Sequence, residues 1–171
     1  MKKENLLKIV LTALFAALTY VATTVVQIPI PATGGYINLG DCFVLLGAFF
    51  LGPVFGAAAG GIGSALADLL SGYTQYALGT FIIKAAMAVC AALIYKTLKQ
   101  KIKISTHIAA VVGEIVMIGG YFIYESIFLE YGLGAAGAIV GNSIQAVAGA
   151  VSSVLLYQAL YAIPQIKKIS I

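Results

Sequence analysis

The chain has 171 residues, 61% of them hydrophobic and only 9% charged, with a mean hydropathy of +1.03. A soluble domain carries about a quarter charged residues, so in water this chain would expose far too much apolar surface, and the composition points to a lipid bilayer. The net charge of +4 contains no arginine, which excludes phosphate recognition by a guanidinium fork, and the lysines sit where membrane topology rather than nucleic acid would want them.

A basic lead-in precedes the first span, expected at about 5–26 and long enough to cross about 30 Å of hydrocarbon at 1.5 Å per residue. It lacks a signal-peptide cleavage pattern and reads as a retained helix. Gln27 to Gly35 carries two prolines and two glycines and reads as a shaped loop. Further helices are expected at about 38–51, 54–70, 76–98, 106–127 and 133–162, all in one six-helix membrane domain covering 1–171. Gly52-Pro53 is the break that separates the second from the third.

The lysines decide between five spans and six. Nine of the ten fall at residues 2, 3 and 8, at 96, 99, 101 and 103, and at 167 and 168. Six spans bring all three groups to one side, which the positive-inside rule makes the cytoplasm. The expectation is therefore an all-α integral membrane bundle with six transmembrane helices and both termini cytoplasmic, in the plasma membrane of a prokaryote. No segment can house a nucleotide-binding module, so any use of ATP and magnesium falls to partner chains.

Small residues recur four apart, as in Ala13/Ala17, Gly56/Gly60, Gly60/Ser64, Gly137/Gly141 and Gly149/Ser153. Such ridges let helices approach closely, either inside the bundle or, for the first helix, against a partner protein. Cys42 and Cys90 form no metal or redox motif and read as small packing residues, and His107 reads as a solvated or interfacial side chain.

Polar residues inside spans are costly in lipid and therefore informative. Lys84 lies about eight residues, roughly 10–12 Å, below the external end of its helix. It either pairs with Glu114 or another acid, or it offers a donor to a ligand. Asn142 and Gln145 share a face at i, i+3 and sit at nearly the same depth. Glu114, Tyr121 and Glu125 form a stripe, with Tyr121 and Glu125 in the outer half and Tyr124 turned aside. Tyr36, Tyr73 and Tyr76 are either interfacial aromatics or stacking platforms. Together Tyr36, Asn38, Asp41, Asp68, Tyr73, Lys84, Tyr121, Glu125, Asn142 and Gln145 make an external-half constellation with both charge signs, amides and phenols. It suits an uncharged or zwitterionic polar heterocycle. The sequence holds no nucleophile–base pair, metal-ligand cluster or phosphate loop, so neither an enzymatic reaction, a metal nor a bound cofactor is assigned.

Three motifs carry a family resemblance: YINLGD at 36–41, LGPxxGxxxGGxGSxLxD at 51–68 and SGY at 71–73. With the six-span plan, they resemble the substrate-binding S components of energy-coupling factor (ECF) vitamin transporters, nearest the hydroxymethylpyrimidine and pyridoxine branch. The resemblance implies a high-affinity vitamin pocket near the external face, roofed by the first loop. It implies docking through the first helix, at Ala13 and Ala17, onto a transmembrane T component, with two ABC ATPases completing the importer. Such a subunit reorients in the membrane and hydrolyses nothing itself. Lys84 would favour a phenolate, as in pyridoxine, and an acid such as Glu125 would favour a protonated or amino-bearing ring. The alternative reading is a small, self-contained secondary transporter or channel.

Overall fold

The computed structural model describes residues 3–167; Lys2 and Lys168, counted among the lysine groups, lie outside them. The main elements are helices α1 (Lys3–Val25), α2 (Asp41–Leu70), α3 (Thr74–Leu98), α4 (Ser105–Ile123) and α5 (Ile139–Tyr161), followed by a short α6 (Pro164–Lys167). A π-helical turn, Tyr124–Phe128, continues α4, and a 3-10 helix, Gly132–Ala138, leads into α5. By length and composition five stretches can cross a membrane: Asn5–Val25, Asp41–Leu70, Thr74–Leu98, Ser105–Phe128 and Gly132–Tyr161. The count is five where the sequence led to six because residues 41–70 count once.

Yet α2 is not one straight rod. Gly52 has φ 83° and ψ −174°, a backbone region open essentially to glycine alone, and Pro53 behind it has no N–H to continue the ladder. The chain reverses there. A β-carbon on Gly56 would lie 2.8 Å from the Cα of Ala48, and one on Gly60 would lie 2.8 Å from a methyl of Val44. These contacts step away from Gly52 in opposite directions along the chain, so the arms 41–51 and 53–70 run antiparallel and meet through glycine. Lys8 stands 5.9 Å from the ring of Phe55, which brings the early part of α1 to the same end of the bundle as the reversal.

The first arm of α2 is the centre of the molecule. All of residues 41–52 are buried except Phe43, which is half-buried. A helix enclosed on every side has no need of a polar face, and this explains its unbroken apolar run. Around it pack Met87, Ala88, Ala91 and Ala92 of α3 and Ala109, Ala110 and Met117 of α4. Outside, Val140, Ile144, Val147, Val151 and Leu155 form one exposed face of α5, and Leu6, Val10, Leu14 and Val21 are exposed along α1. Exposed aliphatic stripes of this kind suit lipid.

The first connection was expected as a loop and is a small β-hairpin. Strand β1 (Ile28–Ile30) pairs antiparallel with β2 (Gly35–Ile37), matching Ile28 with Ile37, Pro29 with Tyr36 and Ile30 with Gly35. Gly34, at φ 68°, turns the chain between them. The strands are too short, and too rich in proline, to carry an alternating pattern. As a result α2 begins at Asp41 rather than Asn38: the Asn38 Oδ1 accepts the Gly40 N–H at 2.9 Å and closes a turn ahead of the helix.

The reversal gives a direct test. Gly52→Ala forces a side chain into a glycine-only region, at a cost of about 1–3 kcal/mol. Its thermal unfolding midpoint in detergent should fall by several degrees, whereas Gly119→Ala, with open space at its β-carbon position, should leave the midpoint unchanged or raised.

Candidate ligand-binding site

At one end of the bundle the hairpin, the α2–α3 turn and the π-helical turn come together over a polar cavity. Three hydrogen bonds latch the hairpin. The Tyr36 hydroxyl donates to Asp68 Oδ1 at 2.5 Å, the Tyr76 hydroxyl donates to the Thr33 carbonyl at 2.7 Å, and the Asn38 N–H donates to Gln145 Oε1 at 2.7 Å. Tyr73, at the turn before α3, packs its ring on Tyr36 with centroids 4.4 Å apart. Burial and the neighbouring Asp68 carboxylate hold the Tyr36 phenol well above its ordinary pKa, so it remains a donor. On α5, a β-carbon on Gly137 would stand 2.6 Å from Ala32 and one on Gly141 2.9 Å from Ile30. Those glycines let the hairpin lie close over α5.

Below the roof runs a buried polar chain. Lys84 Nζ donates to Asp41 Oδ1, and Gln145 Nε2 donates to Asp41 Oδ2 at 2.7 Å. Gln145 thus uses both ends of its amide, one for Asp41 and one for the Asn38 backbone. The Lys84 ammonium also lies 5.4 Å from the Tyr121 ring, whose hydroxyl is 3.0 Å from Thr80 Oγ1. Asp41 is 0% exposed and Lys84 1%. The sequence left the partner of Lys84 open between Glu114 and another acid, and it is Asp41. Glu114 is buried as well, but neither of its oxygens has a hydrogen-bond partner. It lies beside Asp41 against Gly149, where an added β-carbon would be 2.4 Å from Glu114 Oε1 and 2.8 Å from Asp41 Cβ.

The cavity is lined by eight of the ten residues singled out: Tyr36, Asn38, Asp68, Lys84, Tyr121, Glu125, Asn142 and Gln145. Asp41 and Tyr73 are not part of this lining but touch it, Asp41 paired with Lys84 and Tyr73 packed on Tyr36. Lining residues that the sequence reading passed over include Thr23, Ile30, Gly35, Ser64 and Thr80, with Tyr76, which was read only as an aromatic at a helix end. A signal for some of them existed. Ser64 and Asp68 are four apart, as are Tyr76, Thr80 and Lys84, so each set marks one polar stripe on an otherwise apolar helix. Thr19 and Thr23 on α1 are likewise four apart and both buried, whereas the lining by Ile30 and Gly35 follows from the hairpin alone.

With the roof latched, the space open to the centre of a water-sized sphere is about 20 Å³, within about 430 Å³ of total free space that includes the mouth. That smaller figure suits one or two waters rather than a ring. Admission of a heterocycle therefore requires the hairpin or Tyr36 to shift. Among the described residues no group of three or more His, Cys, Asp or Glu side chains is arranged to hold a metal ion. A second hollow, an apolar groove of about 680 Å³, runs between α1 and the second arm of α2. Ala13 and Ala17 line it on the α1 side, facing Phe55, Ala58 and Ile62.

The buried pair predicts a non-additive double-mutant cycle. Asp41→Asn or Lys84→Met alone leaves one buried group uncompensated and should cost about 3–5 kcal/mol. The double variant should lose much less than the sum of the two, as read from thermal unfolding of the three proteins in one detergent.

Comparison with known proteins agrees with this architecture. The family model for the ECF-type riboflavin transporter S component matches residues 3–162. The thiamine precursor transporter HmpT of Lactococcus lactis subsp. cremoris is 31% identical over 158 residues, covering 91% of this chain and 89% of HmpT. An uncharacterized protein of Pyrococcus woesei is 42% identical over 130 residues, or 75% of this chain and 84% of that one. A solved S component of a bacterial ECF transporter superposes with a TM-score of 0.72 at 22% identity, over 91% of this chain and 95% of that chain, and so shares the fold. The chain is a multi-pass membrane protein and belongs to the family of ECF transporter S components.

Proposed function

We propose that this chain is the substrate-binding S component of an ECF-type importer for a small vitamin or vitamin precursor with a polar aromatic ring. The observation that carries this reading is an enclosed polar cavity under a latched hairpin, within an apolar bundle of this family. The cavity supplies phenols, amides and carboxyl groups for hydrogen bonding and stacking, and the hairpin is a roof of a size to admit or retain one small molecule. The relative HmpT transports a thiamine precursor, which favours a hydroxymethylpyrimidine as substrate. Pyridoxine was the companion expectation from sequence, and none of the comparisons speaks for it.

The antiparallel arms of α2 support six crossings. An even number returns both termini to one side, and the lysine groups make that side the cytoplasm. The cavity then opens outward when the subunit is free, which suits capture from outside. In this reading Ala13 and Ala17 are exposed on α1 because a transmembrane T component seats against their groove. Two ABC ATPases bound to that component hydrolyse ATP with magnesium, and the S component delivers its substrate by reorienting against it. The chain carries out no reaction of its own.

Two measurements test this together. The purified chain, titrated by calorimetry with a panel of vitamins and precursors, should bind one of them with one-to-one stoichiometry. Ala17→Leu should abolish co-purification with the T component and ATPases while leaving that affinity within about twofold of wild type. A folded chain that binds nothing in the panel would overturn the capture role. Uptake into vesicles containing this chain alone would favour a self-contained transporter instead.

A further inference from the structure

At the end of the bundle away from the hairpin, α4 and α5 leave a groove of about 250 Å³ between them. Ala110 and Val154 are buried within it, while Val111, Val151 and Leu155 along it are each more than half exposed. One lining residue is polar: His107, exposed in the first turn of α4. The α4 part of the lining ends at Val111, six residues or about 9 Å along the axis from the start of the helix. The groove shares no residue with the one between α1 and α2.

The chain leading to this end carries charge of one sign. From residue 96 to residue 113 there are four lysines, at 96, 99, 101 and 103, and no acid. Lys101 and Lys103 are exposed in the turn ahead of α4, and Lys103 stands four residues before His107. The other wall, α5, has no charged residue from Ile139 to Tyr161. An aliphatic slot with cations beyond one end is complementary to a molecule that has an apolar chain and an anionic head.

Shape and side narrow the occupant. A partner helix is about 10 Å across with its side chains, too broad for so small a slot between Val111 and Val151, whereas a polymethylene chain is narrow. The six crossings proposed above place this lysine end at the cytoplasmic leaflet, whose surface is negative. There each lysine near the surface contributes about 1 kcal/mol of attraction.

We propose that the groove between α4 and α5 is a binding site for one anionic phospholipid. An acyl chain lies along Ala110, Val151 and Val154, and the phosphate head group is held by Lys101, Lys103 and His107. The lysines act as point charges on the phosphate, and a ring N–H of His107 donates to it. A lipid held in this way ties the lysine end of the bundle to the membrane surface, on a part of the chain that lines neither the polar cavity nor the α1 groove.

The test uses the full chain in detergent with two probes, phosphatidylglycerol and phosphatidylcholine carrying the same acyl chains. Binding is read by native mass spectrometry and by the thermal unfolding midpoint. One phosphatidylglycerol per chain should bind at least about tenfold more tightly than phosphatidylcholine and raise the midpoint. Lys101→Gln combined with Lys103→Gln should bring phosphatidylglycerol down to the level of phosphatidylcholine and leave the latter unchanged. Ala150→Leu, which fills the groove from a half-buried position, should weaken both lipids at least about fivefold. The lysine variant alters exposed side chains alone, so it decides the matter even where Ala150→Leu fails to fold. Equal binding of the two lipids by the wild-type chain would overturn the inference, as would a preference for phosphatidylglycerol that survives the lysine changes. Folded Ala150→Leu that binds phosphatidylglycerol within about twofold of wild type would show attraction to surface charge without a groove site, and would overturn it too. If that variant instead lost co-purification with partner proteins while binding both lipids normally, the groove would belong to a protein and the inference would fall. None of these outcomes bears on substrate capture, which the vitamin panel tests separately.

Discussion

The buried pair of Asp41 and Lys84 is the constraint from which the rest of the polar architecture follows. Lys84 is ten residues into α3, about 15 Å from its start, where a lone ammonium in an apolar bundle is costly. Asp41 neutralises it, but Asp41 is also the first residue of α2. The pairing therefore draws the start of α2 deep into the bundle and requires the preceding hairpin to follow it down. Gln145 extends the tie to α5 through Asp41 and back to the hairpin through the Asn38 backbone. One ion pair and two hydrogen bonds thus fix the relative positions of α2, α3, α5 and the roof. In lipid, where no hydrophobic effect drives helices together, such polar ties weigh heavily in the choice of arrangement.

Glycine makes that arrangement sterically possible. A β-carbon on Gly63 would press to 2.4 Å against the Ala16 carbonyl, and one on Gly40 would come to 2.1 Å from Thr23 Oγ1. At these positions α1 lies directly against α2 and its entry turn. Gly149 does the same for α5, leaving room for Asp41 and Glu114 side by side. Glu114 completes an acid excess around a single lysine, and the bundle accommodates it with no hydrogen-bond partner for either oxygen. Thus the glycine content that looked like generic membrane packing is distributed so that polar side chains can meet in the interior.

This division explains what could be read from the sequence. Hydropathy and the break at Gly52-Pro53 were legible because they are local: glycine followed by proline ends a helix wherever it falls. The intramembrane polar residues were legible because lipid makes each of them exceptional, and most of those singled out do line one cavity. Partners were not legible. Asp41 and Lys84 are 43 residues apart, and nothing local distinguishes Asp41 from Glu114 as the acid that Lys84 meets. The hairpin was hidden for a different reason, since three-residue strands carry too few side chains for a period. Thr23, Ser64 and Thr80 were passed over although each lies four residues from another polar side chain on its helix, and the fold brings the three of them to one cavity.

Asp68 and Glu125 show how roof and cavity are joined. Asp68 uses Oδ1 to hold Tyr36 on the hairpin and has Oδ2 without a partner. Glu125 has Oε1 3.2 Å from the Tyr76 hydroxyl that holds Thr33, and its Oε2 is likewise unpartnered. Each carboxyl is therefore divided between the latch and the interior. A donor placed on the interior oxygen orients the carboxyl and firms its bond to the roof, because hydrogen bonds in a low-dielectric site polarise one another. The hairpin latch and the cavity lining are thus parts of one hydrogen-bonded network, joined at the carboxyl groups of Asp68 and Glu125.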